Sequence, residues 1–105
     1  MEYKFTTDNF DKEVLQSSLP VFVDFYADWC GPCKAMGPVV ETLAQEYEGR
    51  VKVGKVNVDE NQELAAKYNV MSIPTFLVLK GQDVIARTMG VQDKSSLVTA
   101  IESAF

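Results

Sequence analysis

Residues 21–34 read VFVDFYADWCGPCK and join a strand pattern to the start of a helix. The first seven, Val21 to Ala27, are mostly β-branched or aromatic and, apart from Asp24, apolar on both faces, which is typical of a buried central strand. After Cys33, apolar residues recur at helical spacing up to Gly49, and glycine commonly ends helices. This stretch therefore predicts a buried strand that leads directly into a long helix.

Strand and helix patterns alternate on both sides of this stretch. The predicted strands are residues 3–6, 21–27, 51–58, 75–80 and 84–89. Helical spacing of apolar residues fills the longer intervals between them, and a last helix follows Asp93, its expected cap. Thr7 or Asp8 is expected to cap the first helix, and residues 59–62 have the spacing of a capping box before the third. The order βαβαβαββα predicts an α/β fold with a mixed sheet and helices on both faces.

The composition limits the partners and the chemistry. The chain has 105 residues, of which 47% are hydrophobic and 24% charged, as in an ordinary globular domain. Its 10 basic and 15 acidic residues give a net charge of −5, which argues against nucleic acid or an anionic membrane as a partner. Because the sequence contains no histidine, it excludes an imidazole base and a histidine metal ligand.

The length predicts a single domain covering residues 1–105, and no linker or repeat divides it. Residues 1–10 lack the apolar core of a secretory signal, and no apolar run approaches the roughly twenty residues of a membrane span. Two cysteines are also too few for the disulfide framework of a small secreted domain. We therefore expect a cytoplasmic protein, and a small acidic domain of this kind is expected to be a monomer.

The two cysteines stand at the junction of the predicted strand and helix. Cys30 and Cys33 are three residues apart around the helix start, so a disulfide between them needs little backbone movement. Pro32 suits the first helical turn because its missing N–H is not needed there. Unpaired amides and the helix dipole favour the thiolate of Cys30, the form that attacks disulfides. Cys33, one turn inside, is expected to be more shielded and to resolve the mixed disulfide.

Three other interpretations of the cysteine pair compete with redox chemistry. A structural disulfide closing only four residues would stabilise the fold by about 1.9 kcal/mol, against about 4.7 kcal/mol for a hundred-residue loop. A zinc site normally has four ligands, so two cysteines without histidine would have to share the metal between two chains. Chance spacing does not account for the position between strand and helix. Redox chemistry is favoured, and no metal site within the chain is predicted.

The sequence also resembles a known family over essentially its whole length. Residues 24–34 resemble the active-site stretch of thioredoxins, and further matches in order and spacing are Pro38, Lys55, residues 73–75 and Gly90. The resemblance implies a thioredoxin fold, a five-stranded mixed sheet with four helices. It also implies disulfide-containing client proteins and no cofactor beyond the redox-active disulfide. A separate thioredoxin reductase would return the disulfide to the dithiol, since the chain has no Gly-rich loop with which to bind a nucleotide cofactor itself.

The resemblance assigns roles to both cysteines and to two charged residues. Cys30 would be the nucleophile and Cys33 the resolving thiol. Asp24 interrupts the apolar strand, so burial should raise its pKa and let it accept a proton from Cys33, a role that no histidine can take here. A structural aspartate satisfied by hydrogen bonds is the alternative. Lys55 resembles the family's partner of that aspartate, although an edge or snorkelling lysine would also fit its strand.

A second group of residues is expected to bind clients. From the sequence alone the Ile73–Pro74 bond has about a 5% chance of being cis, whereas the resemblance implies a cis bond facing the cysteines. That geometry would expose the Ile73 backbone to an extended client segment. The rim of a shallow apolar groove would be formed by Trp29, Gly31, Pro32, Gly90 and Val91. Core packing is the alternative for Trp29 and Val91.

Two positions depart from the commonest family pattern. Tyr26 stands where many members have a second tryptophan, and the glycine of the hairpin turn, Gly81, comes one position early.

Gly31-Pro32 resembles the reducing members of the family, so the predicted activity is the reduction of disulfides in other proteins. An oxidant or isomerase of the same fold, and a binding module with incidental cysteines, are the rival predictions.

Overall fold

All five predicted strands lie in one mixed sheet. The computed structural model describes residues 1–105, and its strands are β1 (Glu2–Lys4), β2 (Val21–Tyr26), β3 (Lys52–Asn57), β4 (Thr75–Lys80) and β5 (Asp83–Met89). Their order is β1-β3-β2-β4-β5. The first three of these run parallel, whereas β4 is antiparallel to β2 and β5 is antiparallel to β4. The predicted mixed sheet is confirmed.

Four helices cover the two faces of the sheet. They are one π-helical turn (Asp11–Leu15), α1 (Gly31–Glu46), α2 (Gln62–Lys67) and α3 (Lys94–Glu102). The helices α1 and α3 pack on one face, in a core that includes Phe22, Leu43 and Ile101. The π-helical turn and α2 pack on the other face with Val14 and Leu64. Because side chains alternate along each strand, the sheet supplies apolar residues to both layers.

The strand β2 lies at the centre of the sheet, between β3 and β4. Residues 21–25 have no exposed surface, so the continuous apolar run is explained by neighbours on both edges and both faces. Asp24 is the charged residue within this run. The end of β2 delivers the cysteine motif to the edge of the sheet where α1 begins.

The helix α1 follows β2 after a short turn. It begins at Gly31, so Pro32 lies in its first turn as predicted, and Pro38 lies inside it without ending it. Gly49 has a φ of +85°, a left-handed conformation that costs glycine little, which confirms the predicted stop.

The N-terminus of the first helix differs from the prediction, because neither Thr7 nor Asp8 caps it. Instead, the Thr6 amide donates to Asn9 Oδ1 (2.8 Å), and the Asn9 amide donates to Thr6 Oγ1 (3.2 Å). This reciprocal pair satisfies two amides at once, which a single capping side chain at either predicted position would not do.

The capping box predicted at residues 59–62 is also wrong. Asn61 precedes α2, but its side chain makes no capping bond. Its Oδ1 accepts from the Thr7 amide (2.9 Å), and its Nδ2 donates to the Asn57 carbonyl (3.0 Å). Asp93 precedes α3 as predicted, again without a side-chain capping bond. Asp59, the residue to which the capping box assigned the cap, lies two residues too early, and its Oδ2 accepts from the indole of the distant Trp29 (2.8 Å).

The strands β4 and β5 form the predicted hairpin. Gly81 and Gln82 lie between Lys80 and Asp83, which pair across the turn. Gly81 has a φ of +62°, and glycine is favoured in this conformation at the first position of a two-residue turn. The early glycine is therefore explained by the turn geometry.

Candidate active site

The two cysteines lie at the junction of β2 and α1. Cys30 directly precedes the helix with an extended backbone, and its Sγ accepts a hydrogen bond from the Cys33 amide (3.2 Å). The two sulfur atoms are joined in a disulfide, and the Cα atoms are 5.2 Å apart. The helix N-terminus thus directs an otherwise unpaired amide at the sulfur of Cys30, an arrangement that stabilises a thiolate there.

Both cysteines are nearly buried in this disulfide-linked form. The exposed fraction is 5% for Cys30 and 3% for Cys33, so Cys33 is the more shielded, as predicted, by a small margin. The side chains packed around them are Tyr26, Ala27, Val58 and Ile73. The Ile73 carbonyl oxygen lies 3.9 Å from Cys30 Sγ, so the loop that carries Ile73 borders this sulfur.

The loop before β4 contains a cis peptide bond between Ile73 and Pro74, which confirms the geometry that the family resemblance implied. Two hydrogen bonds hold the loop: the Gly90 amide donates to the Pro74 carbonyl (2.8 Å), and the Thr75 hydroxyl donates to the Ser72 carbonyl (2.6 Å). The amide and carbonyl of Ile73 make no backbone hydrogen bond. Both groups are therefore available to pair with an extended chain.

Trp29 lies at the surface rather than in the core. Its side chain is 70% exposed, and its indole Nε1 donates to Asp59 Oδ2 (2.8 Å). The ring forms one wall of a groove of about 180 Å³, which is lined by Trp29, Val58, Val70, Met71, Ser72 and Ile73. The core interpretation of Trp29 is therefore wrong.

The other predicted rim residues lie outside this groove. Gly31 and Pro32 are exposed at the start of α1. Val91 is 63% exposed, so core packing is excluded for it as well. Gly90, with a φ of +81°, contributes its hydrogen bond to the cis-proline loop.

Sequence reasoning missed five residues of this surface, namely Val58, Asp59, Val70, Met71 and Ser72. Val70 and Met71 line the groove, and Met71 is 91% exposed. Their apolar character in a loop, outside any strand or helix pattern, was the available signal. Asp59 accepts the hydrogen bond from the Trp29 indole although it lies thirty residues further along the chain, so no local sequence pattern connects the two residues.

Asp24 is fully buried, and neither of its carboxylate oxygens has a hydrogen-bond partner. Burial raises the pKa of Asp24 from 3.8 to about 7, while Lys55 lowers it and Glu2 raises it. The predicted rise in pKa is confirmed, and no other group of the protein donates a hydrogen bond to this carboxyl group. A carboxyl group with this pKa can take up and release a proton near neutral pH.

Lys55 pairs with Asp24 in the register of β3 and β2, so their side chains lie on the same face of the sheet. Since β3 pairs with both β1 and β2, the interpretation of Lys55 as an edge residue is wrong. Its Nζ lies 4.8 Å from the centroid of the Tyr26 ring and forms no salt bridge. The tyrosine that departs from the family pattern thus contacts the lysine beside Asp24.

No group of three or more histidine, cysteine, aspartate or glutamate side chains is arranged to hold a metal ion. No helix is both long enough and apolar enough to cross a bilayer.

The arrangement of the site defines the class of protein. A cysteine pair forms a disulfide at the N-terminus of a helix, next to a cis-proline loop, and the preceding strand holds a buried carboxyl group. Such a pair can exchange its two thiols for a disulfide. The fold and the site are those of a thiol–disulfide oxidoreductase.

Comparisons with known proteins agree with this class and narrow it. Residues 2–103 match the thioredoxin family model. Thioredoxin 1 of Nostoc sp. is 46% identical over 92% of this chain and 91% of its own length. The thioredoxin of Chlorobaculum thiosulfatiphilum is 44% identical over 95% and 93%, and that of Rickettsia felis is 43% identical over 94% of each chain. The chain belongs to the thioredoxin family.

Proposed function

We propose that this protein reduces disulfide bonds in other proteins, with Cys30 as the nucleophile and Cys33 as the resolving thiol. The proposal rests on the hydrogen bond from the Cys33 amide to Cys30 Sγ (3.2 Å) at the N-terminus of α1. That amide and the helix dipole favour negative charge on the sulfur at the helix end over the sulfur one turn inside. The first cysteine of the pair is therefore the one that attacks.

The exchange consists of two displacements that conserve electrons. The Cys30 thiolate attacks one sulfur of a client disulfide, the client bond breaks, and a mixed disulfide forms. The Cys33 thiol then loses its proton and attacks Cys30 Sγ, which releases the second client sulfur. Two electrons pass to the client, whose two sulfurs take up protons, and the Cys30–Cys33 disulfide remains.

Asp24 is the proposed acceptor of the Cys33 proton in the second displacement. Its carboxyl group is buried in the strand that leads into the site, and its pKa of about 7 permits proton uptake at neutral pH. The sequence contains no histidine that could take this role. Lys55 is the proposed tuning residue, because it lowers the pKa that burial raises.

Clients are proposed to bind as an extended segment along the cis-proline loop. The unpaired amide and carbonyl of Ile73 can form strand-like hydrogen bonds with such a segment, and Trp29 offers it an apolar surface. Gly31 leaves the helix start open, since no heavy atom lies within 4 Å of the place a Cβ would take. The proposed surface comprises Trp29, Gly31, Pro32, Ile73, Pro74, Gly90 and Val91.

The proposed cycle needs one further protein. A separate thioredoxin reductase would restore the dithiol after each turnover, and no metal or bound cofactor takes part because the disulfide accepts both electrons. Residues 1–105 are proposed to work as one domain and as a monomer. The proposed location is the cytoplasm, where the cellular thiol pool favours reduced cysteines.

Equilibration with glutathione tests the direction of the exchange. We expect the cysteine pair to be mostly disulfide-linked even in a large excess of reduced glutathione, because a strong reductant passes its electrons to oxidised glutathione. Each 29.6 mV between the two couples changes this equilibrium about tenfold. The disulfide fraction is measured after acid quenching and thiol alkylation. A pair that stays reduced in the same mixtures would identify an oxidant or isomerase of this fold instead.

Replacement of Trp29 by alanine tests the client surface. We expect the KM for insulin reduction to rise about tenfold with kcat nearly unchanged, since a tryptophan at the centre of an interface typically contributes on the order of 1–2 kcal/mol. Phe105→Ala is the matched control, because Phe105 is similarly exposed (61% against 70%) but its ring contacts Arg50 and does not line the groove. Equal KM values for the two variants would contradict the proposed surface.

A further inference from the structure

A third charged side chain lies in the layer that holds Asp24 and Lys55. Glu2 on β1 pairs with Val53 on β3, two residues before Lys55. Val53 pairs in turn with Phe22 on β2, two residues before Asp24. Val53 and Phe22 belong to the core under α1, and side chains two residues apart share a face of the sheet. Asp24, Lys55 and Glu2 therefore lie on one face, with Lys55 on the middle strand. Lys4, the register partner of Lys55 on β1, lies on the same face but is exposed.

The Lys55 ammonium lies under α1, on the strand between the two carboxyl groups. Its Nζ is 4.0 Å from the position that a Cβ on Gly37 would occupy, which places it against the first half of α1. It forms no salt bridge with either Asp24 or Glu2. Its Nζ lies 4.8 Å from the centroid of the Tyr26 ring, and it acts on both carboxyl groups without binding either of them directly.

Glu2 is held in this layer although β1 is an edge strand. Its Oε2 is buried and has no hydrogen-bond partner. Burial raises the pKa of Glu2, Lys55 and the N-terminal amine lower it, and Glu41 on α1 raises it. That amine is itself bound to Glu48 (2.6 Å), so it is not the direct partner of Glu2.

The surroundings of Asp24 contain few other charges. Lys55 on β3 lowers the pKa of Asp24, and Glu2 on β1, the strand beyond β3, raises it. On the opposite edge, the register neighbour of Asp24 on β4 is Phe76, which has no charge. The proton affinity of Asp24 therefore depends on where the Lys55 ammonium stands relative to the two carboxyl groups.

We propose that Glu2 is a positioning residue for the disulfide exchange, which shares the Lys55 ammonium with Asp24 and so keeps Asp24 protonated to higher pH than Lys55 alone would allow. This inference rests on the proposed role of Asp24 as proton acceptor. Without the Glu2 charge, the ammonium would be attracted more strongly to Asp24 and would stabilise its ionised form. Asp24 would then be a weaker base for the Cys33 proton.

Glu2→Gln tests the inference in the disulfide-linked protein. We expect the Asp24 pKa, measured by NMR titration of 13C-labelled aspartate, to fall by between about 0.3 and 1, because the Lys55 ammonium then stabilises the ionised form of Asp24 more strongly. Glu63→Gln is the matched control: it changes the net charge equally but lies exposed on α2, at the opposite face, and should leave the Asp24 pKa unchanged. An unchanged or higher Asp24 pKa in Glu2→Gln would overturn the inference.

Lys55→Met separates positioning from a direct effect of the Glu2 charge. In this background Glu2→Gln should change the Asp24 pKa by less than half as much as in the unaltered protein. An equal change in both backgrounds would overturn the proposed action through Lys55.

The pH dependence of client release from the mixed disulfide separates this inference from the role of Asp24. We expect the release profile to move to lower pH in Glu2→Gln, together with the titration. If Asp24→Asn removes the pH dependence and Glu2→Gln does not move it, the inference fails and the role of Asp24 stands. If Asp24→Asn leaves the profile unchanged, the role of Asp24 fails and the inference fails with it.

Discussion

Replacing Cys30 by serine should lower the rate of insulin reduction by at least about a thousandfold, to the rate of dithiothreitol alone. A serine hydroxyl stays protonated at neutral pH, and the hydrogen bond from the Cys33 amide is too weak to ionise it. Serine also cannot form the mixed disulfide through which the electrons pass. The precipitation of reduced insulin, followed by turbidity with dithiothreitol as the electron source, measures this loss.

Cys33→Ser is the matched control for this substitution, because it keeps the nucleophile and removes the resolving thiol. It should accumulate mixed disulfides with client proteins, and dithiothreitol should cleave these adducts. Cys30→Ser should form none. Trapping by Cys30→Ser rather than by Cys33→Ser would reverse the two roles. If the unaltered protein reduced insulin no faster than Cys30→Ser, the rival of a binding module with incidental cysteines would be correct.

Replacing Asp24 by asparagine should raise the free energy of unfolding at pH 8 by up to about 4 kcal/mol. Burial raises the pKa of Asp24 from 3.8 to about 7. Between these two values the unfolded chain has released the proton and the folded protein retains it. Stability therefore falls as the pH rises through this window, and above it the full penalty of a buried charge remains. Asparagine stays neutral and avoids this penalty.

Urea unfolding at a series of pH values measures this effect. The advantage of Asp24→Asn should be near zero at about pH 4, should grow up to about pH 7 and should then stay constant. Asp83→Asn, which removes an exposed carboxylate from the hairpin, is the matched control and should show no such pH-dependent gain. A gain of the same size at both ends of the series would mean that packing, and not titration, causes it.

The same Asp24→Asn variant should release clients from the mixed disulfide about a hundredfold more slowly at pH 7, because no base then accepts the Cys33 proton. A mixed disulfide preformed on Cys30 and followed by rapid quenching isolates this step from binding. Since the variant is expected to be more stable, slower release cannot be assigned to unfolding. Release at the native rate would contradict the role of Asp24 as proton acceptor. It would not contradict the predicted loss of stability from burying its charge.

The cysteine chemistry could be predicted because its causes lie within one helical turn. The spacing of Cys30 and Cys33, the helix start and the position of Pro32 are local features, and the structure reproduces them. The raised pKa of Asp24 was also predictable, since a lone carboxylate in a continuous apolar strand must be buried.

Other features depended on which distant segments meet. The 59–62 capping box failed because α2 begins after Asn61 and the Asp59 carboxylate binds the indole of Trp29, thirty residues away. The family resemblance placed Trp29 on the rim of the groove, but the bond from its indole group to Asp59 depended on the tertiary structure. The cis bond before Pro74 came from the family resemblance, because the residues themselves favour the trans form.

By itself the sequence determined the alternation of strands and helices and the position of a reactive cysteine at a helix end. Both features depend on interactions between residues within one helical turn or along one strand, and the spacing of residues in the sequence reveals such interactions. Only the tertiary structure decided that Ile73 faces Cys30 across forty-three residues and that Glu2, Lys55 and Asp24 share one face of the sheet. Strand order and register are set by the packing of the whole chain, so no local pattern could specify them.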